Sequence, residues 1–169
     1  MAITKSTPKE EMLRNGQKCS KCGNCCTHGS GFLIKEDVPR IAKFLGLTEA
    51  DLKQHCLQEL EIFHTRMLKP LTIKNKKPYG TCIFFNRDEG CKIHAVKPFQ
   101  CRLSNCGKEG EQILKWFFIN YCVNPDDPQS VREWASYLKH YEALPGGSLQ
   151  DIVKDAKKLA KILNYEIMR

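Results

Sequence analysis

The sequence predicts an α+β protein: a single, mainly helical domain with a few short strands around a loop-rich cysteine centre. Three observations carry that expectation. Capped segments with apolar residues at helical spacing recur from residue 35 onward. Short β-rich runs bounded by turn residues fall between residues 67 and 91. Eight of the ten cysteines crowd into two turn-rich stretches, 19–26 and 82–106. At 169 residues the chain can bury a core of its own, so the cysteines are not needed merely as cross-links for a small fold.

Residues 1–15 read as a flexible, polar lead-in, and 16–169 as one cysteine-cluster domain. The first cysteine segment is Cys19-Ser20-Lys21-Cys22-Gly23-Asn24-Cys25-Cys26, where Gly23 can take the positive φ that a tight curl needs. Gly29-Ser30-Gly31 closes this loop. A helix is then expected from Asp37, with Asp37 as cap, Pro39 in the first turn, a stripe of Val38, Ile41, Ala42 and Leu45, and Gly46 as the stop. Thr48-x-x-Asp51 resembles a capping box and predicts a helix running to about Phe63, with Leu52, Cys56, Leu60 and Phe63 on its apolar face. Cys56 on that face is expected to be a buried structural thiol.

Met67–Ile73 and Cys82–Phe85 read as short strands, separated by the polar turn 74–78. Asn86-Arg87-Asp88-Glu89-Gly90 makes a second turn before Cys91. The apolar run Gln112–Val123 is expected to be a buried strand with Cys122 in the core. Pro125 and Pro128 break the chain before a helix over Ser130–Leu144. Ser148-x-x-Asp151 opens a last amphipathic helix carrying Leu149, Ile152, Val153, Ala156, Leu159, Ala160 and Leu163.

The formal charge is +8, and its excess falls on 65–115, where Lys and Arg outnumber Asp and Glu by eleven to four. Four thiolates on one zinc ion or one oxidised cubane leave a net charge of about −2, so some of this basic charge is expected to balance the site. Nucleic acid is the less favoured partner, because no aromatic recognition motif accompanies the charge. An unknown protein or redox partner is preferred. The N-terminal residues lack the apolar stretch of a signal peptide, and no run reaches the roughly 18 residues of a membrane span. We therefore expect no membrane association and a cytoplasmic location, where ten cysteines point to metal rather than disulfides.

A C-x2-C-x2-C run brings three thiolates around one point, as ferredoxin-type loops do with a distant cysteine completing the set. Structural zinc sites more often pair two CxxC knuckles, and the second segment has none. The expected metal residues are Cys19, Cys22, Cys25, Cys26, Cys82, Cys91, Cys101 and Cys106. They allow either two four-cysteine sites or one site with spare thiols. An extended backbone at Cys25 and Cys26 points their side chains apart, which suits two different centres. His94 and Arg102 are expected beside the ligands, with Arg102 and loop N–H groups donating to sulfur. Pro98 biases Lys97 toward extended geometry and aims Cys101 back toward the site.

Together these segments resemble the zinc- or iron-chelating CxxCxxCC family, the YkgJ-like cysteine-cluster proteins. The resemblance runs over residues 16–106. It rests on Cys19 to Cys26, on Gly80-Thr81-Cys82-Ile83-Phe84, and on Cys91-Lys92-Ile93-His94-Ala95-Val96-Lys97-Pro98-Phe99-Gln100-Cys101-Arg102. His94 stands where tyrosine is frequent and Lys97 where arginine is frequent. The resemblance implies metal binding more firmly than activity.

Three function classes stay open. The favoured one is a metal-cluster protein for redox or electron transfer, with 4Fe–4S preferred to zinc. A metal-dependent enzyme or enzyme component is second, with His94 or His64 as base. A link to protein lysine methylation is an analogy only, because no methyl-donor signature is present. A zinc-stabilised module for binding nucleic acid or protein is third. A cysteine protease is disfavoured, because no single cysteine stands out with a partnered histidine.

Overall fold

Capping and turn residues set most of the element boundaries in the computed structural model, which describes residues 2–16, 19–104 and 106–168. In chain order come α1 (Lys9–Gly16), α2 (Asn24–His28), α3 (Asp37–Leu45), α4 (Glu49–Cys56), β1 (Leu57–Ile62), β2 (Thr65–Pro70), β3 (Thr72–Ile73), β4 (Thr81–Cys82), β5 (Phe85–Asn86) and β6 (Gly90–Cys91). A 3-10 turn, His94–Val96, leads to α5 (Phe99–Leu103), α6 (Gly110–Tyr121), α7 (Pro128–Tyr137), α8 (Leu149–Ile152) and α9 (Ala156–Leu163). Strands pair only two at a time among the described residues, as β1–β2, β3–β4 and β5–β6. Thr72 faces Cys82 in the second pair and Phe85 faces Cys91 in the third, both antiparallel. The fold is the mainly helical α+β class expected. Among the described residues no helix is long and apolar enough to cross a membrane.

The chain forms two compact units. One comprises Leu13–Leu60 and Met67–Gly107; the other comprises Met1–Met12, Glu61–Arg66 and Lys108–Arg169.

In the first unit, α3 stops at Gly46, whose φ of 67° lets its N–H reach back to the carbonyls of Ala42 and Lys43. Thr48 caps α4 by accepting the Asp51 N–H. Their apolar faces meet over Leu33, Val38, Ile41, Ala42, Leu52 and Leu57, and the core continues to Cys82, Phe84 and Ile93. Asp37 is not the cap expected: Glu36 holds that position with no side-chain cap bond, and Asp37 is the first residue of α3. Its fully buried carboxylate accepts the N–H of Ile34 at 3.0 Å and that of Phe99 at 2.7 Å, and it pairs with the guanidiniums of Arg40 and Arg102. It thereby fastens the start of α3 to the start of α5.

The second unit is built on the aromatic run. Residues 112–123, expected as a strand, lie within and just beyond helix α6. Ile113, Trp116, Phe117, Phe118 and Ile119 are all buried, so the segment is apolar on most of its circumference and shows little helical period. Phe63 meets Phe118, Trp134 and Tyr137 edge-on with ring centroids 5.2–5.6 Å apart. Cys122 is 1 % exposed, in the core as expected. Arg132 of α7 donates to the carbonyls of Ile162 and Ile167, gripping the end of α9.

Other expectations need correction. The lead-in over 1–15 is folded: it contains most of α1, Ile3 and Met12 are buried, and the Thr7 carbonyl accepts the Trp116 indole N–H. The helix from Thr48 ends at Cys56, because Leu57–Ile62 pairs as β1 with β2. Cys56 is half-buried, packed beside the apolar cluster. The helix after Pro128 ends at Tyr137 rather than Leu144. The last helix is two: Asp155 accepts the N–H groups of Lys157 and Lys158, capping α9 and breaking it from α8.

Two outcomes follow for stability. Asp37→Ala leaves the buried Ile34 and Phe99 amides without their acceptor and two arginines without their carboxylate. We expect a loss of about 3 kcal/mol in urea unfolding, the low end for a buried pair because both guanidiniums keep some access to water. Separately, the hydrogen bond to Asp127 at 2.6 Å raises the His64 pKa above its ordinary 6.5. A raised value means that this stabilisation is complete below about pH 6.5 and is lost as pH rises through the folded pKa. The Tm advantage of wild type over His64→Gln should therefore be full below about pH 6.5 and shrink as pH rises above it.

Candidate metal centre

The curl at Gly23 starts the site. Gly23 has φ 75° and ψ −4°, and a Cβ there would fall 2.4 Å from the Phe85 ring, so conformation and neighbour both require glycine. The next residues form α2, a single helical turn bearing Cys25 and Cys26. This overturns the extended geometry expected there. The two Sγ atoms lie 3.9 Å apart instead of diverging. Thr81 of β4 donates to the Thr27 carbonyl and so ties the Cys82 strand to α2.

Gly31 plays a similar part on the other side. A Cβ there would lie 2.5 Å from the Cys101 sulfur. The loop is held in place by Gln100, whose side chain accepts the Phe32 N–H at 2.7 Å while its own N–H donates to the Phe32 carbonyl. Lys97 is extended, with ψ 153°, as the following proline demands, and Pro98 leads directly into α5, which carries Cys101.

These elements bring Cys19, Cys22, Cys25, Cys26, Cys82, Cys91, Cys101 and Cys106 around one cavity of about 670 Å³, together with His94. Cys22, Cys25 and Cys106 are exposed, Cys19, Cys26, Cys91 and Cys101 are intermediate, and Cys82 is buried. Among the described residues no three His, Cys, Asp or Glu side chains are drawn together closely enough to hold a metal ion as they stand. The sulfurs ring a space instead of meeting at a point. His64 is not among the lining residues. The Nε2 atom of His94 is buried without a hydrogen-bond partner. Arg102 departs from expectation: it does not line the cavity, and its guanidinium turns to Asp37 and over the Phe99 ring.

The electrostatics divide the thiols. Burial pushes Cys82 up to about 11 and Cys101 up to about 12, and it also raises Cys91. Cys25 is lowered to about 6, chiefly because its thiolate accepts the Cys26 S–H, and Cys26 is raised by the same contact. Cys22 is lowered, first by the Asn24 N–H. The same device recurs around the cavity, with the Phe84 N–H donating to Cys82, the Ile93 N–H to Cys91 and the Gly31 N–H to Cys101. Three of these four donors lie two residues after the sulfur they serve. Lys97 faces Cys25 and Cys91, and Lys69 faces Cys82 and Cys101, which accounts for part of the basic excess over 65–115. Burial and Lys97 lower the His94 pKa, keeping its imidazole neutral.

The donor set fits a thiophilic metal or cluster. Sulfur ligands, N–H donors to those sulfurs and nearby ammonium groups are what reduce the cost of concentrating thiolates. Residues 18–118 match the family model CxxCxxCC, described as "Putative zinc- or iron-chelating domain". The chain belongs to that family. No curated protein and no solved structure matches it. As a CxxCxxCC domain it is a metal-chelating protein by family, and the matched span contains all eight cavity cysteines.

The contributions of Gly31 and Lys69 were not anticipated from the sequence. Gly31→Ala must displace the Cys101 sulfur. We expect about a tenfold loss of metal affinity in chelator competition, with the far-UV circular dichroism unchanged.

Proposed function

We propose that this CxxCxxCC domain holds an iron–sulfur cluster of the 4Fe–4S type and serves redox or electron-transfer chemistry in the cytoplasm, with a protein as its partner. One observation carries the reading. Eight thiols from two distant segments line a single cavity far roomier than one tetrahedral ion needs. The backbone N–H donors to Cys22, Cys82, Cys91 and Cys101 support it, since such bonds stabilise cluster thiolates and raise a reduction potential. When bound, a cluster supplies one-electron exchange. The protein's own residues bind it, screen its charge through Lys69 and Lys97, and limit the access of water on the Cys82 side.

The test is anaerobic purification followed by visible absorption, metal analysis and labile-sulfide assay. Brown protein with iron and sulfide in equal amounts is the expected result. Colourless protein with stoichiometric zinc and no labile sulfide would end the iron–sulfur version and leave a zinc-chelating domain.

A further inference from the structure

Two histidines line the thiol cavity, and they are held differently. His28 is exposed and already engaged: its Nδ1 atom lies 2.8 Å from the Asn24 carbonyl oxygen, and its ring packs on Tyr79 with centroids 4.8 Å apart. His94 is part-buried, and its Nε2 atom meets neither solvent nor any hydrogen-bond partner. Among the described residues the Nε of Arg102 is the one other buried side-chain nitrogen or oxygen left so, and Arg102 does not line the cavity. A buried ring nitrogen without a partner is costly. In a cavity walled by thiols, the group that would satisfy it is the metal those thiols bind.

The local chain places His94 at ligand spacing. Two residues separate it from Cys91, the interval that also separates Cys19 from Cys22 and Cys22 from Cys25. Cys91 ends β6 and pairs with Phe85 of β5. The Lys92 N–H then donates to the Phe84 carbonyl at 2.8 Å, and Ile93 is buried in the core. His94 opens the 3-10 turn, in which the Val96 N–H donates to the Ile93 carbonyl at 2.9 Å. Successive anchors on either side therefore fix the backbone of His94 relative to that of Cys91. The carboxylates that line the cavity, Asp88 and Glu89, sit instead on the turn between β5 and β6, open to water.

We propose that His94 is a ligand of the metal held in this cavity, so that its shell mixes sulfur with one imidazole nitrogen. This rests on the metal-binding reading above and adds a ligand of a different chemical class. Imidazole suits iron and zinc alike. In place of a thiolate it removes one negative charge from the centre, which raises the reduction potential if iron is bound. It also lessens the charge that Lys69 and Lys97 must screen.

The experiment compares full-length wild type, His94→Ala and His94→Cys, purified anaerobically, with and without 15N-histidine labelling. If iron is bound, electron–nuclear double resonance on the reduced wild type should show a nitrogen coupling that changes with the label and is absent from both variants. If zinc is bound, X-ray absorption should show a nitrogen at about 2.0 Å beside sulfurs at about 2.3 Å, and sulfur alone in His94→Cys. In chelator competition His94→Ala should lose at least about tenfold in metal affinity, and His94→Cys should regain most of it. A histidine with a merely structural role would give no nitrogen signal, and a thiol in its place would rescue nothing. Circular dichroism checks that both variants keep the fold.

A sulfur-only shell in metal-loaded wild type overturns the assignment and leaves the metal-binding function standing. So does a histidine nitrogen signal that persists in His94→Ala, which would belong to His28. A wild type that takes up no metal removes the ligand and the metal-binding function together.

Discussion

The buried carboxylate of Asp37 is the constraint on which the cysteine unit depends. A charge with no exposed surface is tolerated only when its lone pairs are met, and here two backbone amides and two guanidiniums meet them. One amide belongs to Ile34, in the loop after Gly31, and the other to Phe99, at the start of α5. The strand of chain that carries Gly31 and the helix that carries Cys101 are thereby held in register at a single point. Gln100 and Phe32 extend the same junction by two further hydrogen bonds. The positions of Gly31 and Cys101, with a gap between them too small for a methyl group, are the product of that junction.

The cavity solves an electrostatic problem with local backbone geometry. Burial alone makes thiolates costly, as the raised values at Cys82, Cys91 and Cys101 record. Each of those sulfurs nevertheless receives a backbone N–H. For Cys82 and Cys91 that donor is the residue two further on, at a place where the chain leaves a two-residue strand and turns. This gives the very short pairs β3–β4 and β5–β6 a purpose that their size would not suggest. They end at a cysteine so that the following peptide can face its sulfur. Lys69 and Lys97 add positive charge from outside.

Much of this was legible in the residues. Gly46, Thr48 and Ser148 mark their helix ends with the side-chain and backbone bonds expected of them, and the convergence of the two cysteine segments follows from their composition. What was not legible has identifiable causes. The run Ile113–Cys122 is apolar on most sides, and a helix buried nearly all round carries little of the polar contrast by which a helix is recognised. Leu57–Ile62 contains Gln58, Glu59 and Glu61, good helix formers, and its pairing with β2 overrides their local preference. The helical period from Leu149 to Leu163 continues through Asp155, which caps a new helix instead of continuing the old one. Asp37 reads as an ordinary cap because its decisive partner, Phe99, is 62 residues away.

The path of the chain between its two units has a consequence for synthesis. The cysteine-bearing unit is complete in sequence once Gly107 has left the ribosome, whereas the other draws on the first twelve residues, the hairpin tip and everything after Lys108. Domains fold as they emerge, N-terminal first. Here residues 2–12 are the exception, for Lys5 and Thr7 bond to Pro145 and Trp116, which are made later. The nascent polypeptide can therefore close its thiol cavity while residues 2–12 still wait, unpacked, for the segment that follows Lys108.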